Sequence, residues 1–316
     1  VQGYFVYFGS DPNGVSAVYT TSVTFTPAPV GSDAYYLRLR TRDVAGNLAD
    51  WATVFTFKSD TTSPANPTGV IEAHGAVSGT WSTITSPAFT WSGATDAHSG
   101  VLGYNVYFGS DPNGTSITYT TLVTSTPATV TSGAYYLRLQ TKDRMGNLSA
   151  WTTAFTFQSD TTLPTNPASA VEASGAVSGT WQSTITTPVF AWSGAIDAHA
   201  GVAGYYAYFG VDPNGTADVY LTSATYTPAP VGSGTYYLRV RAQDAVGQRA
   251  SAWATLFVFQ SDTTLPVNPL STVELHGAAN GAWSTVNAPV FEWSGFAGGP
   301  SGVEGFYVYF GSDPLG

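Results

Sequence analysis

A twelve-residue block, Gly3-Tyr4-Phe5-Val6-Tyr7-Phe8-Gly9-Ser10-Asp11-Pro12-Asn13-Gly14, constrains this chain more than any other feature. It returns with small changes over 103–114, 204–215 and 305–316, at spacings of 100, 101 and 101 residues. Other landmarks keep step. Tyr35-Tyr36-Leu37-Arg38 corresponds to Tyr135-Tyr136-Leu137-Arg138 and to Tyr236-Tyr237-Leu238-Arg239, and Trp91, Trp192 and Trp293 form a third series. Solenoid repeats run to about 20–50 residues. A period near 100 therefore makes each repeat a whole domain. The 316 residues divide into part of a domain over 1–60, complete domains over 61–160 and 161–262, and part of a fourth over 263–316.

Within each repeat the pattern is all-β. Val, Thr, Tyr, Phe and Trp fill short runs, and Gly, Pro, Asn and Asp punctuate them every ~8–12 residues, as in a sandwich. No stretch carries a 3.6-residue apolar period with caps, so no helix is expected. In the second repeat, Tyr104, Val106 and Phe108 alternate along one strand, and Tyr135, Leu137, Leu139 and Thr141 along another. Phe89 and Trp91 supply the opposing sheet. Asp111-Pro112-Asn113-Gly114 and Asp143-Arg144-Met145-Gly146-Asn147 are turns, with Pro fixing φ and Asn and Gly tolerating left-handed backbone.

Composition narrows the classes further. Aromatics make up 14% of the chain, too many for a disordered segment. Charged residues are only 9% where about a quarter is usual; Thr, Ser, Ala and Gly cover the surface instead. There is no cysteine, hence no disulfide framework and no thiolate zinc site. The net charge of −10 disfavours nucleic acid, whose phosphates demand a basic surface. No apolar run reaches the ~20 residues of a membrane-spanning helix, so no membrane insertion is expected in this segment.

A strand Trp, an Asp-x-x-x-Gly-Val-x-Gly-Tyr loop, and then Tyr-x-Leu-x-Leu-x-Thr-x-Asp-x-x-Gly-Asn followed by Trp together resemble fibronectin type III. The chain is similar to the fibronectin-like and immunoglobulin-like modules of long bacterial surface or secreted proteins. Asp60-Thr61-Thr62-Ser63-Pro64, Asp160-Thr161-Thr162-Leu163-Pro164 and Asp262-Thr263-Thr264-Leu265-Pro266 resemble the linkers of such arrays. The resemblance implies a tandem array of β-sandwiches and makes Tyr35, Tyr135 and Tyr236 tyrosine-corner residues, their hydroxyls bonded to nearby backbone. It specifies a fold better than a function.

Residue 1 lies just before the third strand of one unit, and Gly316 lies just after the third strand of another. Two expectations follow. The chain is a window of a longer periodic protein, or the last unit of one copy is completed by the first unit of the next.

The residues offer little catalytic chemistry, and the chain reads as not an enzyme. His98 and His199 share a loop position that the fourth repeat replaces with Phe296-Ala297-Gly298-Gly299-Pro300, which suits loop structure better than an active site. Acids recur in every unit. Linker aspartates Asp60 and Asp160, loop aspartates Asp96 and Asp197, and turn aspartates Asp143 and Asp244 converge in a head-to-tail array. Two readings stand: a calcium site between neighbouring domains, since calcium takes 6–8 oxygens, or ordinary turns in which Asp binds backbone amides. No cofactor is required.

Nine of the ten Lys and Arg lie on one strand of each unit or its following turn. Alternation puts Arg38, Arg40, Arg138, Arg239 and Arg241 on the outward face, beside Tyr7, Tyr107, Tyr208 and Tyr309 of the neighbouring strand and Trp151 at the start of the next. Either Arg–aromatic stacking covers that sheet face internally, or an apolar-basic stripe contacts other copies or glycans. The leading expectation is a structural extracellular stalk or filament on the cell surface, with the chain itself as partner. The alternatives are an adhesin or carbohydrate-binding segment, or spacer modules of a secreted polysaccharide-degrading enzyme.

Overall fold

The computed structural model describes residues 1–313; Pro314, Leu315 and Gly316, the end of the fourth copy of the repeated block, lie outside them. Regular structure among the described residues is entirely β. The chain forms two compact units, Val1–Asp160 and Thr161–Gly316.

In the first unit, β1 (Gly3–Gly9), β2 (Tyr19–Thr20), β3 (Asp33–Arg42) and β4 (Ala52–Ser59) make one sheet in the order β2-β1-β3-β4. There follow β5 (Gly69–Glu72), β6 (Trp81–Ser82), β7 (Phe89–Ser92), β8 (Val101–Gly109), β9 (Tyr119–Thr120), β10 (Thr124–Ser125), β11 (Gly133–Asp143) and β12 (Thr152–Ser159). These form a complete sandwich. A three-stranded sheet, β10-β7-β5, faces a sheet in the order β6-β12-β11-β8-β9. This is the fibronectin type III arrangement, and it explains the alternation read in the sequence. Along β11, Leu137, Leu139, Thr141 and Asp143 are wholly buried, while Tyr136, Arg138, Gln140 and Lys142 between them are half-buried. Short β6 adds to the sheet in parallel, Trp81 opposite Gln158 and Ser82 opposite Ser159.

The core is aromatic. Phe89 of the smaller sheet sits 5.5 Å from Phe108, 5.3 Å from Phe155 and 6.1 Å from Phe157, ring centre to ring centre. Trp91 meets Tyr104 edge-on at 5.4 Å. Each such side chain contributes roughly 1.5–3 kcal/mol by leaving water, and tilted ring pairs add about 0.5–1.5 kcal/mol. Phe155 is 5% exposed under this cover, whereas Phe55, its counterpart on β4, is 59% exposed because no described strand faces β4 with a ring like that of Phe89.

The second unit repeats the plan with β13 (Ala170–Glu172), β14 (Trp181–Gln182), β15 (Phe190–Trp192), β16 (Val202–Gly210), β17 (Val219–Leu221), β18 (Thr225–Tyr226), β19 (Gly234–Asp244) and β20 (Ala254–Ser261). Its sheets run β13-β15-β18 and β14-β20-β19-β16-β17. Phe190 takes the central place, 5.3 Å from Phe209 and 5.2 Å from Phe257. A hairpin of β21 (Ser271–Glu274) and β22 (Phe291–Ser294) follows. The described part of the fourth copy of the repeated block, 305–313, is not a strand. In the other copies that segment is held by a ladder to β3, β11 or β19; 305–310 has no such ladder among the described residues, so Tyr309 stands 57% exposed.

The tyrosine-corner bonds are present in both complete sandwiches. Tyr135 donates its hydroxyl to Thr131 O at 3.2 Å, and Tyr236 to Gly232 O at 3.4 Å.

Candidate functional site: an acidic junction and a basic-aromatic face

Three chain segments of the first unit bring carboxylates together: the stretch after β4, the loop between β7 and β8, and the turn after β11. Asp60, Asp96 and Asp143 each present an oxygen within 4.8 Å of the others. Asp60 is nearly enclosed, with 4% of its side chain exposed. Its Oδ1 accepts from Thr62 N (3.0 Å) and Thr62 Oγ1 (2.7 Å), and its Oδ2 from Ser99 N (3.0 Å). Hydrogen bonds from Ser99 and then Thr62 outweigh burial and hold its carboxyl far below the ordinary carboxylate range. Ser32, Asp60 and Thr61 are linked as well, Thr61 N donating to Ser32 Oγ at 2.8 Å.

Asp96 uses one oxygen to close its loop. Oδ1 accepts from Gly100 N (2.7 Å), His98 N (3.2 Å) and Ser99 Oγ (3.4 Å). Its Oδ2 is fully buried and has no hydrogen-bond partner. Asp143, wholly buried, shapes its turn: Oδ1 accepts from Met145 N (2.9 Å) and Asn147 N (2.8 Å), and Oδ2 from Asn147 Nδ2 (2.7 Å). The Asn147 amide also reaches Asp60 O at 3.2 Å. His98 sets its Nδ1 3.3 Å from Thr62 Oγ1 and 3.8 Å from Asp60 Oδ1. A cleft of about 490 Å³ opens beside this group, with Lys58 and Arg144 among its lining.

Asp160 closes the first unit, wholly buried, its N donating to Ser82 O at 2.8 Å. In the second unit Asp197 and Asp244 repeat the relation of Asp96 and Asp143. Asp197 Oδ1 accepts from Gly201 N (2.8 Å) and His199 N (3.1 Å), and its Oδ2 is again buried without a partner. Asp244 accepts from Val246 N, Gln248 N and Gln248 Nε2, Gln248 standing where Asn147 stands above. Asp262 has no loop aspartate to join it, because Phe296 to Pro300 replaces that loop. It accepts instead from Thr264 Oγ1 and, through Oδ2, from Ser301 N and Ser301 Oγ at 3.0 and 2.7 Å.

The outward arginines and tyrosines of the complete sheets turn inward along the sheet surface. Tyr7, Tyr107 and Tyr208 sit directly across from Arg38, Arg138 and Arg239. Each tyrosine hydroxyl accepts from the first amide of the Asp-Pro-Asn turn: Asp11 N at 3.2 Å, Asp111 N at 3.1 Å and Asp212 N at 3.1 Å. Tyr309 does the same with Asp313 N at 3.3 Å. Each arginine donates Nη1 to the last carbonyl of that turn, at Gly14, Gly114 and Gly215 (2.8, 2.7 and 2.9 Å). Nη2 reaches the carbonyl of Trp51, Trp151 or Trp253 at 3.4–3.5 Å. Arg40 and Arg241 donate Nε to Ala49 O and Ala250 O at 2.7 and 2.6 Å. The guanidinium of Arg249 lies 3.9 Å over the Tyr206 ring. Arg38, Arg138, Arg239, their tyrosines and Trp151 are half-buried, so the face is a set of turn clamps that engage Nη1 and Nη2 of each arginine within the domain, while the buried Nε of each has no hydrogen-bond partner.

Sequence reasoning missed two polar pins. Glu72, with none of its side chain exposed, accepts from His74 N (2.8 Å), Ala76 N (3.0 Å) and Ala88 N (3.0 Å), tying the loop after β5 to the start of β7. Glu172 and Glu274 do likewise. The signal was there in the recurrence of Glu with Gly-Ala three and four residues on, at 72, 172 and 274. Asn66 of the linker accepts from Thr141 N, Thr141 Oγ1 and Ser149 Oγ, and donates to Ala150 O, joining linker to sheet.

No family model matches the chain. It is 34% identical, over 242 residues and 71% of its length, to Exoglucanase B of Cellulomonas fimi, and spans 20% of that relative's length. Among solved structures it aligns with the fibronectin(III)-like modules of Clostridium thermocellum CbhA at 12% identity and a TM-score of 0.29, covering 62% of this chain and 95% of that one.

Proposed function

We propose that this chain is a run of spacer modules in a secreted polysaccharide-degrading enzyme, holding other domains apart outside the cell. The observation that carries the reading is the 34% identity to part of an exoglucanase over 242 residues of a chain that is itself a repeat array. The side chains support it. The groups that acid–base chemistry would use are engaged in structure: Asp143 and Glu72 each close a loop through three backbone or side-chain amide donors, and they recur in every unit. Arg138 and Tyr107, which a lateral contact surface or a glycan platform would use, clamp a turn. The comparison therefore favours a spacer over a filament or an adhesin.

Two measurements test the reading. The purified chain, incubated with cellulose and xylan, is expected to release no reducing sugar and to stay in the supernatant. Sequencing the reading frame on both sides is expected to reach a glycoside hydrolase domain. Hydrolysis by the chain itself, or a frame of further repeats ending in a cell-wall anchor, refutes the proposal.

A further inference from the structure

We infer that Asp60, Asp96 and Asp143 form a calcium-binding site in the first unit. Three carboxylates from separate segments lie within 4.8 Å of one another, and turn chemistry accounts for only part of them. Asp96 Oδ1 closes its loop alone. Asp96 Oδ2 is buried, cut off from water and without a donor, a condition that is costly for a carboxylate oxygen unless a cation or a donor meets it. The feature is not an accident of one loop, since Asp197 Oδ2 is left in the same condition in the second unit. Lys58 and Arg144 line the adjoining cleft.

The donor set selects the ion. It is all oxygen, and the one imidazole nearby, His98, turns its Nδ1 to Thr62. Calcium binds oxygen at about 2.3–2.6 Å, so two of its ligands reach ~5 Å apart; magnesium at about 2.0–2.1 Å reaches little beyond 4 Å. The three oxygens all lie within 4.8 Å of one another, inside the span that calcium allows. Ser99 Oγ and the Asp60 carbonyl lie within the same network and are available as further oxygen ligands. This inference is independent of the spacer reading, because a bound ion would tie linker, loop and turn in any array of these domains.

The test is calorimetric titration of the whole chelator-treated chain with calcium and, separately, magnesium. Saturable calcium binding is expected below about 1 mM, the range of extracellular modules, with magnesium at least tenfold weaker. At calcium a hundredfold above Kd the linked unfolding equilibrium shifts about a hundredfold, seen as a higher Tm. Asp96→Asn keeps the shape and the Oδ1 acceptor while removing charge, and is expected to remove one equivalent of calcium per chain. Asp218→Asn, in an exposed loop, should titrate like the parent. Absence of saturable binding up to about 10 mM calcium, or an Asp96→Asn isotherm equal to the parent's, overturns the proposal. Should Asp96→Asn lose its β circular dichroism, the parent's calcium and magnesium titrations decide alone.

Discussion

Glu72→Gln isolates one buried charge with almost no change of volume. The carboxylate accepts three backbone amides at 2.8–3.0 Å and faces His74 Nδ1 at 3.1 Å. In the favourable orientation the glutamine keeps an oxygen toward His74 N and Ala76 N. Its NH₂ then points at Ala88 N, donor against donor. Losing a hydrogen bond to a charged acceptor costs roughly 1.5–3 kcal/mol, and making the two survivors neutral takes about 0.5 kcal/mol each. The expected loss is about 2.5–4 kcal/mol. The opposite flip forfeits two bonds rather than one. Hydrogen exchange reads this at residue level within the intact chain. Protection of the Ala76 and Ala88 amides should fall about 60- to 700-fold, at ~1.4 kcal/mol per decade. His74→Ser should change it little, because Ser174 occupies that place in the second unit. Protection within threefold of the parent would refute the reasoning and assign the loop to the β5–β7 ladder instead.

Two further outcomes follow from the same kind of geometry. Gly114→Ala would place a Cβ 2.1 Å from the Tyr107 ring, displacing the clamp; a loss of about 1–3 kcal/mol in urea unfolding is expected, and an unchanged midpoint would contradict it. Glu274, held down to about 2 chiefly by Val290 N against an ordinary 4.5, contributes stability that is complete above 4.5 and lost as pH falls toward 2. Glu274→Gln should flatten that part of the acid-unfolding profile, and a profile identical to the parent's would count against the pin.

The strands were legible because period two is a direct consequence of the pleat. Leu137, Leu139 and Thr141 had to share a face, and Phe89 and Trp91 had to meet them from the other sheet. The Asp60–Asp96–Asp143 grouping was legible through the repeat, which aligns three separated segments at one end of a sandwich. Side-chain reach was not legible. Alternation puts Arg138 outward, but its arm swings back to Gly114 O, and nothing in the spacing says which carbonyl a guanidinium finds. Gly114 looked like turn chemistry alone; its lack of a side chain also makes room for Tyr107. The strand expected after Gly305 did not form because a strand is a property of a pair, and 305–313 has no partner strand among the described residues.

The short parallel pairing of β6 with β12 bears on what happens when such a domain is pulled. β6 belongs to the first third of the sandwich and β12 ends it, and they run the same way. A load applied through the two ends drags these strands in opposite directions along their length. Gly79 N to Thr156 O, Ser82 Oγ to Gln158 O and Asp160 N to Ser82 O are then strained together in shear, not peeled one after another. The rate at which a stretched domain gives way is set by that barrier and not by its equilibrium stability. A few bonds at the rim of the sheet thus act as a mechanical latch, and the aromatic interior feels tension only after they part.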